Sequence, residues 1–119
     1  MLPPQHRMRR SEDFTDAVRG GARSGTRRLV VHLKTPDDGA TTDPPRAGLV
    51  VSTAVGNAVE RNLVKRRLRG LLATRMSRLG EGEKLVVRAL PEARDASSSE
   101  LGADLDSALE RARRRRERR

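Results

Sequence analysis

Apolar residues recur at helical spacing in three stretches of the chain and cluster or alternate at strand spacing in three others. Phe14, Ala17 and Val18, at i, i+3 and i+4, make a short stripe. Ser11 is placed to act as N-cap before Glu12 and Asp13, whose carboxylates suit the start of a helix, and Gly20-Gly21 closes the element. Val64, Leu68, Leu71 and Leu72 share one side of a long helix predicted from Asn57 to about Leu79, with Asn57 and Glu60 in capping-box spacing and Gly80 as C-cap. Leu101, Leu105, Leu109 and Ala112 stripe a last helix behind a second capping box, Ser97 and Glu100. The strand-like runs are Leu29 to Leu33, Arg46 to Thr53 and Glu83 to Leu90, the last closed by Pro91. In the middle run Ala47, Leu49, Val51 and Thr53 alternate with Gly48, Val50 and Ser52, a face small enough for another surface to approach closely.

The order helix, strands, long helix, strand, helix predicts an α+β fold: a two-layer α/β sandwich with an about four-stranded sheet, in which Arg46 to Leu90 form a βαβ unit. One domain over residues 1–119 suits the length. Residues 1–10, with Pro3-Pro4, read as a flexible basic arm with nothing to pack, residues 35–45 as a loop, and residues 114–119 as a flexible arginine-rich tail.

Charge narrows the partner. With 26 Lys+Arg against 16 Asp+Glu the formal net charge is +10, and nucleic acid is the leading partner class. One Phe and no Trp or Tyr argue against membrane-surface binding, and no apolar run is long enough to span a bilayer or serve as a signal segment, so the expected compartment is the cytoplasm. Cysteine is absent and the two histidines, His6 and His32, have no metal-ligand spacing, so no metal site is predicted in the chain. Glu12, Asp13 and Asp16 are read as first-turn helix acids, not as a Mg²⁺ cluster.

On the long helix Asn62, Lys65, Arg66 and Arg69, at i, i+3, i+4 and i+7, fall on one side away from the apolar face. A solvated structural helix would usually mix acids into such a row, whereas guanidinium forks suit phosphate oxygens. A basic helix of no RNA function is the competing reading from charge alone. Arg67, Arg75 and Arg78 point elsewhere; Arg61, in the first turn, is placed to reach a neighbouring strand or a phosphate.

The segment from Gly56 through Asn57-Ala58-Val59-Glu60-Arg61-Asn62 to Lys65-Arg66-Arg67-Leu68-Arg69 resembles the signature of the bacterial ribonuclease P protein family, and the resemblance extends to the Ser11 to Phe14 helix start and the downstream strand and helix. It implies a sandwich with a left-handed βαβ crossover, a basic helix facing a catalytic RNA subunit, and a cleft between the first helix and the sheet for the 5′ leader of precursor tRNA. On that basis Arg61, Asn62, Lys65, Arg66 and Arg69 are RNA-binding candidates, and Phe14, Val18 and His32 candidates for the leader cleft. Val18 stands where relatives often carry a second aromatic, and His32 where an aromatic contact is found, so stacking on the leader is expected to be weaker. Phe14 read as a core anchor, His32 as plain strand packing and the arginine run as a nonspecific tail stand beside these readings. The resemblance further implies Mg²⁺ held mainly by the RNA subunit, no catalytic residue in the protein, and as partners the catalytic RNA and precursor tRNA, with no membrane and no small-molecule substrate. A ribosomal or RNA-chaperone-type protein is the alternative.

Overall fold

The computed structural model of the chain describes residues 2, 4–8, 10–36 and 43–117. In chain order the elements are α1 (Ser11–Gly20), β1 (Ala22–Gly25), β2 (Leu29–Lys34), β3 (Arg46–Val50), α2 (Ala58–Arg75), β4 (Lys84–Ala89) and α3 (Ser98–Glu117). The sheet order is β1-β2-β4-β3, antiparallel except for the parallel pairing of β3 with β4 that the βαβ unit requires.

Strand alternation divides the sheet into two faces. Leu29, Val31 and Leu33 of β2, Leu85 and Val87 of β4 and Ala47 of β3 pack with Val64, Leu68 and Leu72 of α2 and with Leu101, Leu105 and Leu109 of α3 in one buried cluster. Each such leucine, fully buried, contributes about 1.5–3 kcal/mol over its exposed state. This sheet and the α2/α3 layer form the sandwich. On the opposite face α1 seats Ala17 and Phe14 against Val86, Val50 and Met8 in a second, smaller cluster. Asp13 and Asp16 of α1 fix its position, both 3.0 Å from the Lys84 ammonium at the start of β4.

Several boundaries differ from those expected. Ser11 is the first helical residue; the N-cap is Arg10, which has no side-chain cap bond but whose carbonyl accepts from the Asp13 N–H. β1 was not among the expected strands. The strand from Arg46 stops at Val50, and that from Glu83 is Lys84–Ala89. α2 ends at Arg75 in a 3-10 turn, Met76–Arg78, rather than on a left-handed Gly80; the Gly80 N–H donates to Glu83, and the left-handed glycine is Gly82, at φ +75°.

Both terminal segments pack. Leu2 and Met8 are buried, Pro4–His6 form a 3-10 turn, and Arg7 bridges Ala47 on the outer edge of β3, where the Met8 N–H donates to the Ala47 carbonyl at 3.0 Å. An arm with nothing to pack is therefore corrected: Leu2 finds cover in the large cluster and Met8 in the second. The expected tail begins inside α3, which stays helical to Glu117; residues 118–119, like 37–42 of the expected loop, lie outside the described residues.

Candidate nucleic-acid interface

The expected capping box starts α2. The Asn57 side chain accepts from the Glu60 N–H and the Glu60 carboxylate accepts from the Asn57 N–H, both at 2.9 Å. Gly56 precedes it at φ +158°, and a Cβ there would lie 2.5 Å from Glu60 Oε1, so only glycine leaves room for the cap. Val64, Leu68 and Leu72 then face the core, and 3.6-residue geometry delivers Asn62, Lys65, Arg66 and Arg69 to the outside. Asn62, Arg66 and Arg69 are exposed and Lys65 half-buried; none of the four side chains makes a hydrogen bond or ion pair among the described residues.

The other arginines of this segment are occupied. Arg67 donates to the Ala96 carbonyl at 2.6 Å, Arg75 holds Asp106 through two bonds of 2.6 and 3.2 Å, and Arg78 reaches the same carboxylate at 2.6 Å. The Arg75 bonds come first among the causes that hold the Asp106 carboxyl below its ordinary range. Arg61 belongs to neither group: it is half-buried, and its buried Nε has no partner among the described residues.

On the other face, the Phe14 ring packs over Gly48 of β3. A Cβ on Gly48 would fall 2.5 Å from the ring's Cε1 and Cζ, so the small-residue alternation does admit a close approach, and the surface that approaches is the protein's own ring. Phe14 is half-buried and packs against the second cluster, so part of its ring is core anchor and part is exposed. Strand pairing carries the floor on from Gly48 through Val86 and His32 to Arg23, one residue from each strand in a row across the sheet. His32 is 8 % exposed, and burial, then the charges of Arg23 and Arg88, lower its pKa. It is a neutral imidazole at pH 7, with a buried Nδ1 that has no partner among the described residues. Val18, one turn after Phe14, is 45 % exposed.

A groove of about 470 Å³ joins the two surfaces, lined by Phe14 and Gly48 on one side, Lys65 and Arg69 on the other, and Arg7 and Met8 between. Arg7 and Met8 had no periodicity to reveal them; their only sequence signal was an apolar residue set among arginines. The acids of α1 do not fit a Mg²⁺ site, because Asp13 and Asp16 are both committed to Lys84 and Asp13 also lies 3.9 Å from Arg46. Among the described residues no group of three or more His, Cys, Asp or Glu is placed to hold a metal ion, and no helix is long and apolar enough to cross a membrane.

A model of the family described as Ribonuclease P matches residues 2–113. The chain belongs to the ribonuclease P protein family. The ribonuclease P protein component of Streptomyces griseus is 54% identical over 116 residues, covering 93% of this chain and 94% of that one, and the component of Beutenbergia cavernae is 55% identical over 109 residues, covering 92% and 89%. Among solved structures, the Staphylococcus aureus RNase P protein superposes with TM-score 0.77 at 27% identity, over 90% of this chain and 94% of that one. The RNase P protein of Thermotoga maritima, at 22% identity and TM-score 0.70, shares the fold. As a ribonuclease P protein the chain is a subunit serving tRNA 5′ maturation, and the ribosomal or chaperone-type alternative is set aside.

Proposed function

We propose that this ribonuclease P protein binds the catalytic RNA subunit through Asn62, Lys65, Arg66 and Arg69, with Arg61 at the start of the same helix, and receives the 5′ leader of precursor tRNA on the floor beside Phe14, Val18 and His32. The observation that carries the reading is the sorting of cations on α2 and the turn after it: Arg67, Arg75 and Arg78 are bound by acids and carbonyls, whereas the outer row has no internal partner among the described residues. Unpaired guanidinium and ammonium groups release counterions on meeting phosphates, so they bind an RNA backbone at no cost in internal contacts. The groove between Phe14 and the Lys65/Arg69 pair supports one protein touching both RNAs at once.

The leader floor offers one aromatic ring, a neutral imidazole and the flanking charges of Arg23 and Arg88, a combination suited to a single strand read by stacking and backbone attraction rather than by base-edge hydrogen bonds. Mg²⁺ and the hydrolytic chemistry belong in this reading to the RNA subunit, since the protein's nearest acids are neutralised by Lys84 and Arg46. The holoenzyme works in the cytoplasm, with no small-molecule substrate for the protein. Reconstitution tests the assignment: purified protein in Mg²⁺ leaves precursor tRNA intact, and adding the cognate RNA gives cleavage at the mature 5′ end. Cleavage by the protein alone, or no gain when the protein joins the RNA at low Mg²⁺, would defeat it.

A further inference from the structure

Arg111 and Arg115, in the last turns of α3, are not free. β1 is an edge strand, so every second carbonyl along it points away from the sheet. Arg115 donates to the carbonyl of Arg23, and Arg111 donates to that of Gly25 at 3.0 Å while its Nε reaches Ser107. Two periodicities coincide here: alternate carbonyls of a strand are about 7 Å apart and residues at i, i+4 of a helix about 6 Å. Each guanidinium gives up only part of its five-donor fork to these bonds, and the remainder faces solvent. The result is two cations fixed at a spacing comparable to that of successive phosphates on a nucleic acid strand.

Their position matters as much as their spacing. The floor row runs from Gly48 beside Phe14, over Val86 and His32, to Arg23, and the carbonyl that Arg115 holds is that of Arg23 itself. Three strand spacings separate the row's ends, about 14 Å. A single strand lying along the row from Phe14 therefore leaves the protein over the edge where Arg115 and Arg111 stand.

We propose that the outer edge of β1, with Arg111 and Arg115 seated on its carbonyls, is a second RNA-backbone site that takes the phosphates of the leader beyond the cleft. This rests on the leader reading above. The rival explanation is that the two arginines only cover an exposed strand edge against pairing with another copy.

The test uses holoenzyme reconstituted with the RNA subunit, and precursors whose leaders grow one nucleotide at a time, with mature tRNA as reference. Wild-type affinity should rise in two stages as the leader first fills the cleft and then reaches the edge. The double variant R111Q/R115Q keeps a donor for each carbonyl but loses both charges. It should abolish the second stage, lower the salt slope for the longest leader by about 1.4 (about 0.7 per phosphate contact on a single strand), and bind mature tRNA and the shortest leaders as wild type does. The single variant R115Q should give half that change. R114Q, whose parent guanidinium pairs with Glu110 instead, should leave both stages intact. Equal losses on mature tRNA, an unchanged long-leader affinity, the same loss in R114Q, or self-association without any change in RNA binding would each overturn the edge site. Phe14→Ala separates the two readings: an intact first stage in that variant refutes the cleft while the second stage still reports on the edge.

Discussion

Replacing Lys65, Arg66 and Arg69 together by alanine removes three cations that have no hydrogen bond or ion pair among the described residues. Folding should barely notice. Lys65 and Arg69 stand at i, i+4 and Arg66 and Arg69 at i, i+3, so the substitution also relieves like-charge repulsion of a few tenths of a kcal/mol per pair, and the net change in stability should fall within about 0.5 kcal/mol. Binding should respond strongly. If each cation meets one phosphate, the slope of log affinity against log salt flattens by about 2 to 2.7, and the wild-type advantage shrinks roughly twenty- to forty-fold between 50 and 200 mM salt. The control is Arg67, Arg75 and Arg78 to alanine, which removes the same charge from the inward side of α2 and the 3-10 turn that follows it. It abandons the Ala96 carbonyl and the Asp106 carboxylate, and should cost about 2–4 kcal/mol, the low end for charged hydrogen bonds because Asp106 is 41% exposed. Its salt slope should stay near wild type. Filter binding of the RNA subunit across a salt series, paired with urea unfolding, reads both quantities. Equal flattening in the two triples would mean that net charge and not the outer row governs binding, and the reasoning would fail.

Gly48→Ala places a methyl group 2.5 Å from the Phe14 ring and should destabilise by about 1–3 kcal/mol in denaturant unfolding while lowering affinity for precursor relative to mature tRNA; unchanged values of both would show that the ring's seat is unimportant. Because burial and the Arg23 and Arg88 charges lower the His32 pKa, the unfolded chain takes up that proton first, so stability should decline as pH falls from about 6.5 through the lowered folded value. His32→Gln should remove that component, and superimposable pH–stability curves for the two proteins between pH 7 and 5 would contradict it.

Much of the candidate interface was legible because a helix exposes its periodicity in sequence. Asn57 and Glu60 fixed the start of α2, and a row of cations without interleaved acids separated Asn62, Lys65, Arg66 and Arg69 from arginines destined for internal partners. β1 was illegible for a physical reason: Ala22-Arg23-Ser24-Gly25 has no β-branched or aromatic residue, and its strand conformation comes from pairing with β2 and from the carbonyl contacts of Arg111 and Arg115. The terminal segment was misread because the cover for Leu2 and Met8 is made by residues distant in sequence. Phe14 resisted a single assignment because its ring is half-buried, packed on one part and exposed on another.

The excess of cations is not spread evenly over the surface. Asp13 and Asp16 neutralise Lys84 at the covered end of the floor, and Glu100, Asp104 and Asp106 of α3 neutralise Arg28, Arg75 and Arg78. The acids thus cancel charge where α1 and α3 meet the rest of the molecule, and leave the outer row of α2 and the Arg23/Arg88 side of the floor uncancelled. A uniformly basic protein would attract RNA in any orientation. Here the groove sets Lys65 and Arg69 beside Phe14 at the β3 end of the floor, whereas Arg23 stands at the opposite, β1 end, so a polyanion meets uncancelled charge at both ends of the floor. At 0.15 M salt the screening length is about 8 Å, shorter than the width of the sheet, so charges at its two edges act on a polyanion independently while the sheet fixes the distance between them.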